Sequence, residues 1–169
     1  YPTVPYRYQQ TFIDYVISKK SPSSVTMNRG SAVHKALELL ALRKLGEQNG
    51  TTTIVDDAFG EMNIADIEPE KVIAQAISHY YDDTWTPKDA QDTRKWFNVA
   101  LSKEFYNGDY DPRGQKIISV EQTFDITFDK PWAYYKYKVG DDIIEGQFSI
   151  KGTADLLVES DKNTLALRD

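Results

Sequence analysis

The 169-residue sequence contains no cysteine, so the chain can form neither a disulfide nor a thiolate-ligated metal site, and an iron–sulfur cluster is excluded. It also lacks an apolar run long enough to span a bilayer, because the longest helical apolar stretch, Ala36–Leu42, is interrupted by Glu38. Nothing at the N-terminus resembles a secretory signal, and the absence of an initiator methionine suggests a fragment. These absences leave a cytoplasmic location, without membrane association, as the default expectation.

Basic residues are fewer than acidic ones: 20 lysines and arginines stand against 26 aspartates and glutamates, which gives a net charge of −6. A protein that coats nucleic acid by bulk electrostatics needs many cations to neutralise phosphates, so any contact with DNA must be local. A hydrophobic content of 40% and an aromatic content of 12% suffice for one core in a chain of this length. The sequence therefore predicts a single domain over residues 1–169.

The N-terminal part, about 1–110, has the apolar spacing of α-helices. The spacing is clearest over 28–45, where Asn28 can cap the helix and Gly46 suits its C-terminal stop. Pro69 and Pro87 each suit the first turn of a further helix. The predicted helices are 8–16, 28–45, 69–80 and 87–108.

From about residue 115 to residue 169 the sequence changes to β-branched and aromatic runs, which are typical of strands. Turn-forming residues separate these runs at 140–142 and 160–163. This segregation favours an α+β fold, in which a helical N-terminal half packs on a mixed or antiparallel β-sheet. We expect the strands to form an antiparallel meander with the bounds 116–128, 133–139, 143–158 and 164–169.

Two acids interrupt the apolar strands near the C-terminus, Asp155 and Asp169. If the turn leaves an odd number of residues unpaired, such as 161–163, Leu157 faces Leu167 and Asp155 faces Asp169. Directly opposed side chains have Cβ atoms about 4.5–5.5 Å apart, and like charges at that distance are destabilising unless something neutralises them. A divalent cation would neutralise them, so this register predicts a metal site.

Two alternatives remain open for these acids. A two-residue turn such as Asp161-Lys162 would place Asp155 and Asp169 on opposite faces of the sheet, and no site would form. Acids near the end of a strand also often face solvent without any ligand. The register of the hairpin therefore decides between a metal site and solvated acids.

Three motifs, in order along the chain, resemble those of RecB-like nucleases of the PD-(D/E)XK superfamily. The segment Arg29-Gly30-Ser31-Ala32-Val33-His34 resembles the family's G-x-x-x-H helix, and Glu121 resembles its strand glutamate. Gly152-Thr153-Ala154-Asp155, a hairpin and Leu165-Ala166-Leu167-Arg168-Asp169 resemble the G-x-x-D, hairpin, apolar-D-x-K signature. The resemblance implies a restriction-endonuclease-like core that is incomplete at its C-terminal side.

The resemblance also implies a role for each residue. His34 would bind a metal ion, Asp155 would bridge metal and phosphate, and Asp169 would be the second strand acid, with Glu121 as a further catalytic acid. Such oxygen ligands suit Mg²⁺ or Mn²⁺, and the imidazole favours Mn²⁺. The family's lysine would lie two residues beyond Asp169, so this fragment is expected to be catalytically crippled. Without the resemblance, His34 would be interpreted as a partly buried histidine beside an apolar stripe.

Aromatic and basic residues alternate over 132–138, the chemistry of a surface that stacks bases and pairs with phosphates. Tyr134, Lys136 and Lys138 would share one strand face there, and Arg29 is a further candidate for DNA contact. The alternative is an edge strand whose Tyr135, Tyr137 and Val139 pack on the core while its lysines discourage edge pairing. Both interpretations can hold together.

The leading hypothesis is a metal-dependent deoxyribonuclease, acting as an exonuclease in recombination, repair, or phage replication or defence. DNA would be its partner, with a larger recombination or phage protein complex as a further one. The alternative is a catalytically inactive module that keeps the nuclease fold and binds DNA or assembles with other proteins. A third hypothesis, an unrelated β-rich domain with coincident acids, predicts no metal binding at all.

Overall fold

The computed structural model of the protein describes residues 24–160 and 164–168. Helices dominate the N-terminal half of this part and antiparallel strands the C-terminal half, which confirms the α+β class. The helices are α1 (Val25–Asn49), α2 (Pro69–Tyr80), α3 (Pro87–Leu101) and α4 (Lys103–Tyr106), with 3₁₀ turns at Ile64–Asp66, Pro112–Gly114 and Pro131–Ala133. The strands are β1 (Thr53–Asp56), β2 (Gly60–Asn63), β3 (Lys116–Thr127), β4 (Tyr134–Val139), β5 (Asp142–Gln147), β6 (Ser149–Ser160) and β7 (Thr164–Arg168).

The predicted helix over 28–45 is present as α1 but extends further at both ends. Ser24 caps it, accepting a hydrogen bond from the backbone N–H of Met27 at 3.2 Å. The prediction that Asn28 caps the helix is wrong, because Asn28 lies in the first turn and its side chain donates to Asp82 at 2.7 Å. Asn28 therefore ties α1 to the loop after α2.

Gly46 does not end α1, contrary to the prediction. It lies within the helix, where a Cβ would come within 2.5 Å of the Ile64 side chain. The helix ends at Gly50, whose φ of 71° is the left-handed conformation that glycine adopts readily. Gly46 therefore serves close packing, and Gly50 serves the stop.

The helix α1 occupies the centre of the fold. One group of its buried residues packs with residues of α2, α3 and β1, and its members are Ala32, Ala36, Leu39 and Leu40. Ala41 belongs to a second core cluster and packs against Ile117 of β3 and Val158 of β6. Helices and the sheet thus cover different sides of α1.

Three further differences separate the observed elements from the predicted ones. The predicted helix 87–108 is divided at Ser102 into α3 and α4, and the predicted strand 143–158 is divided into β5 and β6. The antiparallel hairpin of β1 and β2 was not predicted.

Among the described residues, no helix combines the length and apolar character needed to cross a bilayer. The predicted helix 8–16 lies outside the described residues.

The sheet topology differs from the predicted meander. The strands β3, β6 and β7 form one antiparallel sheet in that order, and β4 and β5 form a separate hairpin. Because β3 pairs directly with β6 over almost its whole length, β4 and β5 are an excursion between two neighbouring strands. This arrangement makes β6 the central strand, with Asp155 in its middle.

Candidate metal centre

Three side chains from three elements converge at the interface of α1 and the sheet: His34 of α1, Glu121 of β3 and Asp155 of β6. The Nε2 atom of His34 lies 2.8 Å from Oε1 of Glu121, and its Nδ1 atom lies 3.6 Å from Oδ2 of Asp155. One ligand atom from each residue can be chosen so that all three lie within 4.8 Å of one another. The structure thus brings together three of the residues that the sequence predicted to act together.

The pairing of β3 with β6 explains why the two carboxylates meet. Val120 pairs with Leu156 and Gln122 pairs with Ala154, so Glu121 and Asp155 stand at the same level of neighbouring strands. Side chains at such positions are close enough for their charges to interact strongly. The imidazole of His34 approaches both carboxylates from α1 and lies between them.

The backbone of Glu121 is in an unusual conformation for a strand residue. Its φ is 51°, in the left-handed region that a residue with a side chain adopts at a cost of about 1–3 kcal/mol. Such strain persists only where the surroundings impose it, and it is concentrated at functional sites. The conformation breaks the regular extended backbone of β3 at the residue whose carboxylate contacts His34.

A cavity of about 140 Å³ opens beside these three residues. Apolar side chains from α1 and the sheet form part of its wall, and the loop before β3 closes another side. Besides His34, Glu121 and Asp155, its lining residues are Leu37, Glu38, Ala41, Asp109, Tyr110, Pro112, Leu156 and Arg168. The candidate ligands therefore face a space that is large enough for an ion with water, or for part of a phosphate group.

Glu38 is a site residue that the sequence analysis missed. It lies one helical turn after His34, so both side chains lie on the same side of α1. Burial raises the pKa of Glu38, the negative charge of Glu121 adds to that rise, and the hydrogen bond from Lys35 opposes it. The spacing of four residues from His34 was a signal that could have identified it.

Glu38, Asp56 and Asp57 form a second acidic cluster, which already holds a cation. The ammonium group of Lys35 contacts carboxylate oxygens of Glu38 at 2.6 Å, Asp56 at 3.2 Å and Asp57 at 2.8 Å. Burial lowers the pKa of Lys35, but its hydrogen bonds to the three acids outweigh that effect and raise it overall. This cluster is therefore an ion-pair network that joins α1 to the β1–β2 hairpin.

The hairpin of β6 and β7 has the register that the metal-site hypothesis requires. Leu157 pairs with Leu167 and Ser160 pairs with Thr164, so an odd number of residues separates the paired strands. The described pairs end with Leu156 opposite Arg168. Asp169 itself lies outside the described residues, and its place at the site stays a prediction.

The predicted DNA-contacting residues Tyr134, Lys136 and Lys138 lie on β4, in the separate hairpin. Tyr134 donates a hydrogen bond to Asp129 at 2.6 Å, and Lys136 forms an ion pair with Glu145 at 2.7 Å. The edge-strand alternative is wrong in one respect, because Tyr137 and Val139 are exposed and do not pack on the core. The hairpin keeps an exposed surface of aromatic and basic side chains.

Arg29 is better explained as a link between helices than as a DNA contact. Its guanidinium donates to Thr93 at 3.2 Å and to Asp89 at 3.1 Å. It also lies 3.9 Å from the ring centroid of Trp96, a cation–π contact. These contacts hold α1 against α3 and leave the Arg29 side chain largely buried.

The donor set at His34, Glu121 and Asp155 fits a divalent cation. The two short contacts of His34 use opposite ring nitrogens, so only one of these nitrogens can be a ligand to a given ion. One nitrogen of His34 and one oxygen from each acid lie within 4.8 Å of one another, so small side-chain shifts would bring all three to a single ion. One imidazole nitrogen and two carboxylates are ligands that Mn²⁺ and Mg²⁺ accept, whereas soft thiolate-binding ions find no cysteine in this chain.

Comparison of the chain with protein-family models, with curated proteins and with solved structures gives no match. The assignment of a function therefore rests on the geometry of this site and on the motifs in the sequence.

Proposed function

We propose that the protein is a metal-dependent deoxyribonuclease domain with a restriction-endonuclease-like core. The observation that carries this proposal is the convergence of His34, Glu121 and Asp155 beside one cavity. These residues are far apart in the sequence, and each belongs to one of the three motifs that resemble RecB-like nucleases. A random set of exposed acids would not be expected to meet at the motif positions.

Each side chain has a part in the proposed hydrolysis of a phosphodiester. His34, Glu121 and Asp155 would hold Mn²⁺ or Mg²⁺, and the resemblance implies that Asp155 would also meet the phosphate. The bound ion would supply activation of a water molecule and neutralisation of charge on the phosphate. The carboxylate of Glu121, on a strained backbone, lies within hydrogen-bond distance of Nε2 of His34, so both groups are at the site before a ligand binds.

Calorimetric titration with Mn²⁺ tests the metal site without reference to catalysis. We expect the wild type to bind Mn²⁺, and Asp155→Asn and His34→Ala to weaken binding by at least about tenfold, since each removes a ligand. Asp125→Asn is the matched control, because Asp125 is an exposed β3 acid whose partner, Lys151, lies outside the cavity lining. Equal heats for the wild type and Asp155→Asn would contradict the proposal.

Cleavage of labelled single-stranded and duplex DNA separates the nuclease from the inactive module. We expect activity in Mn²⁺ to equal or exceed that in Mg²⁺, because an imidazole ligand favours Mn²⁺. The cleavage assay requires a protein that includes the second residue after Asp169, which is where the resemblance places the lysine. Binding of Mn²⁺ and DNA without cleavage by that protein would support the inactive module instead.

A further inference from the structure

Arg168 of β7 places a guanidinium group in the wall of the cavity that holds the candidate metal ligands. It pairs with Leu156 across the β6–β7 ladder, next to Asp155 in the chain. Ala166, two residues earlier, packs against the core cluster of Ala41, so alternation along the strand directs Arg168 to the same face, toward α1. The resemblance to RecB-like nucleases implies no role for Arg168.

The guanidinium of Arg168 has few partners of its own. Its Nη2 atom lies 3.8 Å from Oδ1 of Asp109, which is longer than a hydrogen bond. Its Nε atom is inaccessible to solvent and has no hydrogen-bond acceptor among the described residues. The protein therefore leaves the guanidinium without a full set of acceptors.

Arg168 lies in a cavity whose other charged residues are mostly acidic. Four carboxylates line the cavity, those of Glu38, Asp109, Glu121 and Asp155. A phosphodiester anion would be repelled by these groups unless cations compensate them. The metal ion of the proposed function is one such cation, and Arg168 supplies a second.

We propose that Arg168 binds a phosphate of the DNA backbone at this site, donating from the terminal Nη atoms of its guanidinium to nonbridging oxygens, because its Nε is closed to solvent. This inference rests on the proposed function, because it assumes that DNA is the substrate. A planar guanidinium can present two parallel donors to one phosphate, whereas a lysine ammonium acts as a point charge. Arg168 would thus hold the phosphate against the ion bound by Asp155.

The test measures binding of a short fluorescein-labelled DNA strand by anisotropy, in Ca²⁺ and over a series of salt concentrations. We expect Arg168→Gln to raise the dissociation constant about tenfold, and to reduce the slope of log affinity against log salt by about 0.7, the loss of one phosphate contact on a single strand. Arg168→Lys should keep most of the slope but bind more weakly than the wild type.

Two controls distinguish phosphate binding from a structural role. Arg94→Gln removes an arginine of α3 that is somewhat more exposed than Arg168, 44% against 35%, and it should change neither affinity nor slope. Asp109→Asn removes the acid beside Arg168 and should leave DNA affinity unchanged or strengthen it. Loss of affinity in Asp109→Asn equal to that in Arg168→Gln would overturn the proposal, since both changes would then act through the loop before β3.

Failure of this inference differs from failure of the proposed function. If the wild type binds Mn²⁺ and DNA, but Arg168→Gln has the wild-type affinity and salt slope, only the role of Arg168 is overturned. If the wild type binds neither Mn²⁺ nor DNA, the proposed function and the role of Arg168 both fall. Thermal unfolding of each variant identifies any loss of fold, and Arg168→Lys then carries the test.

Discussion

The side-chain amide of Gln48 forms two hydrogen bonds with the backbone of Ile117. Its Nε2 atom donates to the Ile117 carbonyl oxygen at 2.7 Å, and its Oε1 atom accepts from the Ile117 N–H at 3.0 Å. The register of β3 against β6 shifts between Ile117 and Ser119, so the pair of bonds satisfies backbone groups beside a bulge. It also fixes the C-terminal end of α1 against the strand that carries Glu121.

We expect Gln48→Leu to lower the free energy of unfolding by about 1–3 kcal/mol, because it leaves the two Ile117 backbone groups without their partner. Mn²⁺ affinity should fall as well, since His34 and Glu121 depend on the placement of α1 against β3. Denaturant unfolding and calorimetry measure the two effects. Gln91→Leu, on the exposed side of α3, is the control and should stay within about 0.5 kcal/mol of the wild type. Wild-type stability in Gln48→Leu would contradict this account.

The strain at Glu121 predicts a difference between two substitutions that both remove its carboxylate. Glycine adopts a φ of 51° without the steric cost that alanine meets, so Glu121→Gly should be more stable than Glu121→Ala by about 1 kcal/mol. Both variants should lose Mn²⁺ affinity to a similar degree, because both lose the same ligand. If Glu121→Ala proves the more stable of the two in denaturant unfolding, the residue is not strained.

The motifs predicted which residues meet at the candidate site better than they predicted the fold around it, although they gave Glu121 as a catalytic acid and not as a metal ligand. His34, Glu121 and Asp155 were identified because short motifs fix the residue type at each position, and the three do converge. The register of the β6–β7 hairpin could also be predicted from the sequence, since only a turn with an odd number of residues puts Leu157 opposite Leu167. Local sequence thus carried the information for this part of the site.

Long-range contacts were beyond what local patterns can indicate. Arg29 was a candidate for DNA contact in the sequence, but Asp89 and Trp96, more than fifty residues away, enclose it. Asp56 and Asp57 lie more than twenty residues from Lys35, so local spacing could not indicate their ion pairs with it. The excursion of β4 and β5 likewise depends on the pairing of β3 with β6, which periodicity along one strand cannot reveal.

The ion pair of Asp57 with Lys35 predicts a dependence of stability on pH. The hydrogen bond from Lys35 lowers the pKa of the Asp57 carboxyl below its unfolded value of about 3.9, so its stabilisation is present above that pH and lost as pH falls through the lower, folded pKa. Asp57→Asn should therefore reduce the unfolding free energy at pH 7, by less than about 1 kcal/mol because the carboxyl is exposed.

The difference between Asp57→Asn and the wild type should shrink steadily as the pH is lowered below about 3.9. The raised pKa of Glu38 acts in the opposite direction, but it is common to both proteins and contributes little to their difference. Urea unfolding at several pH values measures the effect, with Asp141→Asn in the β4–β5 turn as a control. A difference that stays constant down to acidic pH would mean that the ion pair does not stabilise the fold.

Asp169 is the remaining predicted ligand, and substitution tests it directly. The described register ends with Leu156 opposite Arg168, and the sequence continues with Asp169 after Arg168 and Asp155 before Leu156. If Asp169 is the second strand acid, Asp169→Asn should weaken Mn²⁺ binding by at least about tenfold, comparable to Asp155→Asn. Asp141→Asn serves again as a control for the loss of one carboxylate. Unchanged Mn²⁺ affinity in Asp169→Asn would restrict the ligands to His34, Glu121 and Asp155.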